Sequence, residues 1–340
     1  MKKYPLIFGY ILSIIFLLTI SGNSQESIEK YLREAQSCYN TALFNESINL
    51  CNKVMEMQGL SQEQRVDAYR LKGFALVANG KTDQAKAAIK KVIELAPDTK
   101  FDPDYVPPKM MRIYYQAWQD INGSNQIEQR KDPGVTTMAV LDFDNNSIGS
   151  DKEGWEPMGK GLAQMLITDL SKIVKLKVIE RERIQYILNE LKLEQDQAFN
   201  QETAVRIGQQ LGVHSMLFGG FSKIGKTMRI DARLIKVETS ELIKAEEITG
   251  KADDFLTLEK ELALKIAKNL KVPVTTDEVK VIKKVQNRSL EAALAYSEGL
   301  SLLDKEDYKQ AKKKFEEALK FNPNYAAAQK KLDLIKDFSS

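Results

Sequence analysis

Two stretches far apart in the chain carry the same spacing of small and large residues. Residues 66–97 read VDAYRLKGFALVANGKTDQAKAAIKKVIELAP, and residues 292–323 read AALAYSEGLSLLDKEDYKQAKKKFEEALKFNP. Gly73, Ala85, Ile89, Val92 and Pro97 of the first match Gly299, Ala311, Phe315, Ala318 and Pro323 of the second. The spacing has a physical cause. A small residue lets two antiparallel helices approach, a large apolar one fills the layer between them, and proline ends the second helix. A weaker copy runs over 28–60, with Ala35, Ser47, Cys51 and Val54 at the equivalent places. Such units bury their apolar faces only by stacking, so this feature dictates helical hairpins at both ends.

These residues resemble the tetratricopeptide repeat family. The resemblance implies a concave groove that grips peptides or helices, and its groove-facing positions here are Gln36, Tyr39, Asn40, Arg70 and Phe74. The competing reading is that the repeats only buttress the rest of the chain, since about three stacked units are needed for an independently stable array. After Pro97, prolines at 103, 107 and 108 forbid a regular element. Met110, Ile113, Tyr114, Ala117 and Trp118 then recur at helical spacing, predicting a helix that packs as core.

Lys2 and Lys3 precede an apolar run from Leu6 to Ile20, followed by Ser21, Gly22, Asn23, Ser24 and Gln25. This is the pattern of a cleaved secretory signal peptide with Gln25 as the mature start. The alternative, an uncleaved anchor, needs a longer apolar stretch of ~20 residues. The two cysteines, Cys38 and Cys51, fall on facing helices of one hairpin. Either they form a disulfide, as an oxidising compartment permits, or they serve as small buried apolar residues. Formal net charge is +3 with both signs interspersed, which gives no basic stripe for nucleic acid.

From Val135 the pattern becomes α/β. VTTMAVLDFD, KLKVIER, HSMLFGGFSKI, TMRIDARLIKV and ELIKAEEITG read as strands. The helix from Met158, RERIQYILNELKLE, ETAVRIGQQLG and Asp254 to Leu270 read as helices. GK and ETS between the last three strands are short enough for hairpins. The order predicts a sheet with helices mostly on one face.

In order and spacing, AVLDFDNNSIG, GLAQMLITDL, VIERERIQYILNEL, GQQLGVHSMLFGGF and RIDARLIKVETSELI resemble the CsgG family of curli production assembly and transport components. The amino-terminal domain of TolB shows a related pattern. Pore-forming CsgG members carry long insertions that become membrane strands, whereas here only a tight turn separates Ile224 from Thr227. The lipid-bearing cysteine at the cleavage point is also missing. The resemblance therefore implies a soluble relative without the pore.

Three sharper motifs give way to their context. Gly220 to Thr227, GFSKIGKT, satisfies the phosphate-loop pattern, but a helix must follow such a loop and an alternating strand follows this one. Asp142, Asp144, Asn146 and Glu153 match calcium-loop positions, yet Ser147 replaces the turn glycine and a strand precedes them. His214 is the only histidine, which excludes a His-pair metal site. Arg181, Glu182 and Arg183 read as the first turn of a helix.

The resulting expectation is an α/β (α+β) fold, a small mixed-sheet domain between helical repeat arrays. Its divisions are a signal peptide over 1–24, repeats over 25–120, a linker over 121–134, the central domain over 135–271, a second linker over 272–288, and a repeat with a capping helix over 289–338. The function expected is a non-enzymatic periplasmic scaffold or assembly protein without cofactor, metal or nucleic acid. An outer-membrane secretion channel subunit is the alternative, and a nucleotide hydrolase a more distant one. Its partners would be envelope proteins or peptides at the repeats, copies of itself at the central domain, and the outer membrane.

Overall fold

The computed structural model describes residues 25–102, 106–123, 135–193, 199–284 and 289–335. The expected signal peptide lies outside them, as does most of the 121–134 linker. Two compact units result: Met1–Phe101 with Gln116–Asn122, and Asp102–Tyr115 with Gly123–Ser340.

The first unit is built of helical hairpins. Helix α1 covers 25–40, α2 Phe44–Glu56, α3 Gln62–Ala78 and α4 Thr82–Leu95. Ser61 caps α3 through a reciprocal capping box with Gln64, satisfying two N-terminal donors. The repeat spacing acts as anticipated. A Cβ on Gly73 would lie 2.6 Å from Cδ1 of Ile89, so only glycine lets α3 and α4 approach this closely. Ala35, Ser47, Cys51 and Val54 of the weaker copy are all fully buried. Both cysteines are free, and only Cys51 serves as a small buried apolar residue, since Cys38 is half-exposed. Burial pushes the Cys51 thiol up to about 12.

Helix α5, Pro108–Asn122, divides between the units after Tyr115. Pro108 opens this helix instead of belonging to the breaker before it, because the first helical position needs no N–H partner.

In the second unit, β1 (Thr136–Val140), β2 (Asp144–Asn145), β3 (Leu176–Val178), β4 (Ser215–Ile224), β5 (Thr227–Lys236) and β6 (Leu242–Lys251) form one mixed sheet. Its order is β3-β1-β4-β5-β6, with β2 paired to β4. The first three strands of this order are parallel and the last three antiparallel. The helices are α6 (Ser150–Trp155), α7 (Met158–Leu170), α8 (Arg181–Glu190), α9 (Gln201–Leu211), α10 (Phe255–Asn269) and α11 (Thr276–Lys283). The expected first strand breaks after Val140 and resumes at Asp144, and between them Phe143 N–H donates to the Gly159 carbonyl at 3.2 Å.

Helices cover both faces of the sheet, not mostly one. Gly208 of α9 packs on Met216 and Val237, whereas Gly250 of β6 packs on Leu258 of α10. Met216 pairs with Ile235, and Gly250 with Met228, seven positions away on β5 and hence on the opposite face. Handedness explains the split. The chain steps outward from β1 to β3 through α7, then back across β1 to β4 through α8 and α9. Two right-handed crossovers in opposite directions put their helices on opposite faces.

Gly212 ends α9 in the left-handed conformation at φ 68°, as a C-cap glycine does. The stretch 272–288, expected as a linker, contains α11, opened by a capping box of Thr275 and Glu278. The C-terminal repeat forms α12 (Leu290–Asp304), α13 (Tyr308–Phe321) and the capping helix α14 (Ala326–Ile335). Gly299 faces the Phe315 ring, 2.4 Å from where a Cβ would stand. Tyr296 completes that layer, with ring centroids 5.7 Å from Phe315 and 5.0 Å from Tyr325.

Candidate partner-binding surfaces on the repeats

Four of the five groove positions come together in the first unit. Gln36 Nε2 donates to Asn40 Oδ1 at 2.9 Å, one turn apart on an exposed face of α1. Tyr39 lies between them in sequence, with its ring 6.2 Å from Phe74 and 5.8 Å from Phe44. Phe101, buried beyond the end of α4, meets Phe74 edge-on at 5.6 Å. Part of the Phe74 ring is thus already covered by the chain's own residue. Arg70 is drawn elsewhere, pairing with Asp67 one turn back at 2.8 Å. The result is an exposed pair of amides beside half-buried aromatic rings.

The C-terminal repeat is placed differently. Its first helix, α12, packs on α7 of the sheet domain. A Cβ on Gly161 would lie 1.8 Å from Ser297 Oγ, so the two helices cross at backbone contact. At the end of α12, Asp304 accepts from Arg181 Nη1 at 2.8 Å and Nη2 at 2.6 Å, and from Lys160 Nζ at 2.7 Å. The other edge of the same guanidinium reaches Asp142 at 3.1 and 3.2 Å. Arg181 is only 3% exposed, and two carboxylates offset its desolvation. Burial alone would raise the Asp304 carboxyl, but Arg181 and Lys160 outweigh it and hold the group below the ordinary carboxylate range. A second tie joins buried Lys331 of α14 to Glu182 at 2.8 Å.

The charged run at 181–183 does form the first turn of α8, and it also anchors the C-terminal repeat. A sequence signal was present. Arginine at the first helical position is mildly disfavoured by the helix dipole, which a carboxylate beside it offsets.

The sharper motifs resolve by context. GFSKIGKT spans the β4–β5 hairpin, where Ile224 pairs with Thr227 across Gly225 and Lys226, so no helix N-terminus follows the loop. Asp142 of the calcium-like pattern faces Arg181. No cluster of metal-ligating residues occurs among the described residues. His214 Nδ1 lies 2.7 Å from Thr137 Oγ1, stitching the start of β4 to β1.

The family model for the curli production assembly/transport component CsgG matches residues 122–229. That for the tetratricopeptide repeat matches 66–99 and 292–325. Similar solved structures include the LpoB C-terminal domain from Salmonella enterica, at 17% identity over 35% of this chain and 86% of that one, TM-score 0.26. The LpoB C-terminal domain from Escherichia coli aligns at 16% identity over 44% and 98%, TM-score 0.28. TolB from Acinetobacter baumannii aligns at 11% identity over 40% of this chain and 28% of its own, TM-score 0.27. No curated protein matches the chain. This chain carries a CsgG-family domain of mixed α+β architecture, flanked on both sides by tetratricopeptide repeats.

Proposed function

We propose that the protein is a non-enzymatic scaffold of the cell envelope, exported by a cleaved leader over residues 1–24 and working in the periplasm. Its N-terminal repeats hold a partner protein while the CsgG-like domain carries the C-terminal repeat as a fixed extension. One observation supports this division. Gln36, Tyr39, Asn40 and Phe74 gather on one surface of the N-terminal unit, whereas the first helix of the C-terminal repeat is packed on α7 and bound through Asp304. Side-chain amides of this kind hydrogen-bond a peptide backbone, and aromatic rings take an apolar side chain beside it. The favoured ligand is therefore a short peptide or helix with an apolar anchor.

A role in curli-type secretion rests on the family resemblance alone. The channel alternative would need ~9–11-residue membrane strands, and the β4–β5 connection is a closed two-residue turn.

The test is affinity capture from envelope extract, using protein expressed from the full coding sequence and its Tyr39→Ala/Asn40→Ala variant. Partners held by wild type and lost by the variant are expected, with unfolding temperatures matched. An identical set of partners for both proteins would overturn the assignment of this surface.

A further inference from the structure

We propose that the α7–β3 turn and helix α11 together form a docking surface for an anionic phospholipid bilayer. Residues 171–177 and 271–284 contain seven lysines against Asp277 and Glu278, and with Lys172 paired to Asp169 of α7 the patch keeps a net +4 in a chain whose total is +3. Tertiary structure makes these two segments one surface. The Val174 N–H donates to Glu278 Oε1 at 2.9 Å, fastening the turn to the first helical turn of α11. Leu176 N–H closes the turn on the Ile173 carbonyl at 3.0 Å, so Val174 and Lys175 stand at a rigid tip.

Two apolar residues crown the patch. Val174 is 80% exposed, and Val281, one turn beyond Glu278 on α11, is 52% exposed. Ile282, beside it, is fully buried and fixes which side of α11 faces inward. The outer side carries Lys280 and Lys284, while Lys175, Lys271, Lys283 and Lys284 are exposed with no carboxylate partner among the described residues. Glu278 is spent on backbone N–H groups of Val174 and Thr275, leaving Asp277, itself beside Lys280, as the acidic group facing solvent.

Exposed valines ringed by lysines match a bilayer surface. The ammonium groups meet anionic headgroups while the short apolar tips enter the boundary with the acyl chains. A soluble polyanion would satisfy the lysines and leave both valines without a use. No helix among the described residues is long and apolar enough to cross a membrane. Membrane docking here is independent of partner capture by the repeats, and a vesicle assay reads it without a protein partner.

The experiment is co-sedimentation of protein expressed from the full coding sequence with vesicles of phosphatidylglycerol and phosphatidylcholine, against pure phosphatidylcholine. Excess binding to the anionic vesicles is the quantity read, and because Lys2 and Lys3 add equally to it in every variant, the comparison of wild type with the variants below isolates the patch. Lys280→Gln/Lys284→Gln should weaken this excess roughly thirty-fold, about five-fold for each charge removed. Val174→Asp should weaken it about tenfold or more while leaving the unfolding temperature unchanged. No excess over neutral vesicles, or an excess indifferent to the lysine pair or to Val174, would overturn the proposal. So would retention on a soluble polyanion without vesicle binding, which assigns the patch to an acidic polymer instead.

Discussion

Arg181 Nη2 lies 2.6 Å from Oδ2 of Asp304, joining the first turn of α8 to the last of α12 across 123 positions of sequence. The guanidinium is buried and the carboxylate nearly so, and Asp142 and Lys160 complete a four-member chain of alternating charge. The contact fixes the C-terminal repeat to the sheet domain. Several consequences can be measured.

Removing one partner strands the other. Asp304→Ala should cost about 3–5 kcal/mol of stability, because it leaves a buried guanidinium half-compensated. Arg181→Met/Asp304→Leu should cost much less, since an apolar pair leaves no bare charge beyond Asp142 and Lys160. Chemical denaturation of both variants reads the difference, and equal losses would argue against the pair as the source.

The crossing of α7 and α12 offers a sign test. Gly161→Ala gains up to ~1 kcal/mol of helix propensity, yet its methyl would fall 1.8 Å from Ser297 Oγ. Overpacking at ~1–3 kcal/mol should win, giving a net loss. In a Ser297→Gly background the clash disappears and the same substitution should become neutral or stabilising. A double-mutant cycle from urea melts measures this coupling.

Burial, with the Asp169 charge beside it, pushes the Glu259 carboxyl up to about 8 despite the opposing Lys260. Its folded value is above the unfolded one, so folding takes up a proton between about pH 4.5 and 8. This contribution is present in full below the unfolded value and lost as pH rises through 8. Asp304 has the opposite sign, because its lowered value favours folding above the ordinary aspartate range and that gain disappears in acid. Glu259→Gln should therefore melt higher than wild type above pH 8, with a flatter alkaline limb in thermal scans.

Cys51 is fully buried and its thiol is pushed up to about 12, while Cys38 is half-exposed. A disulfide-exchange reagent at pH 8 should label one thiol per native chain quickly and the second only on unfolding. Peptide mapping should find the fast label on Cys38. Rapid labelling of both would show that the α1–α2 hairpin opens readily.

Much of the fold was legible because its causes are local. Gly73 and Ile89, or Gly299 and Phe315, sit at a spacing that only closely packed hairpins use, and both pairs meet as anticipated. Alternation from Met228 to Leu234 identified a strand where a motif suggested a nucleotide loop, and β5 runs through those residues. The short GK connection likewise set the β4–β5 register.

Other features depend on which surfaces meet, and no local pattern encodes that. Helix α11 was hidden in a short charged stretch whose buried residue, Ile282, is recognisable only once α10 lies against it. Arg181 looked like solvated charge, since its two carboxylates lie 39 positions before it and 123 after. By itself the sequence determined the helical hairpins, the strands and their turns, through steric spacing and hydrophobic period. Tertiary structure alone decided which repeat is committed to the sheet domain and that the α7–β3 turn meets the start of α11. Burial and charge pairing are properties of the opposing surface, and that surface comes from elsewhere in the chain.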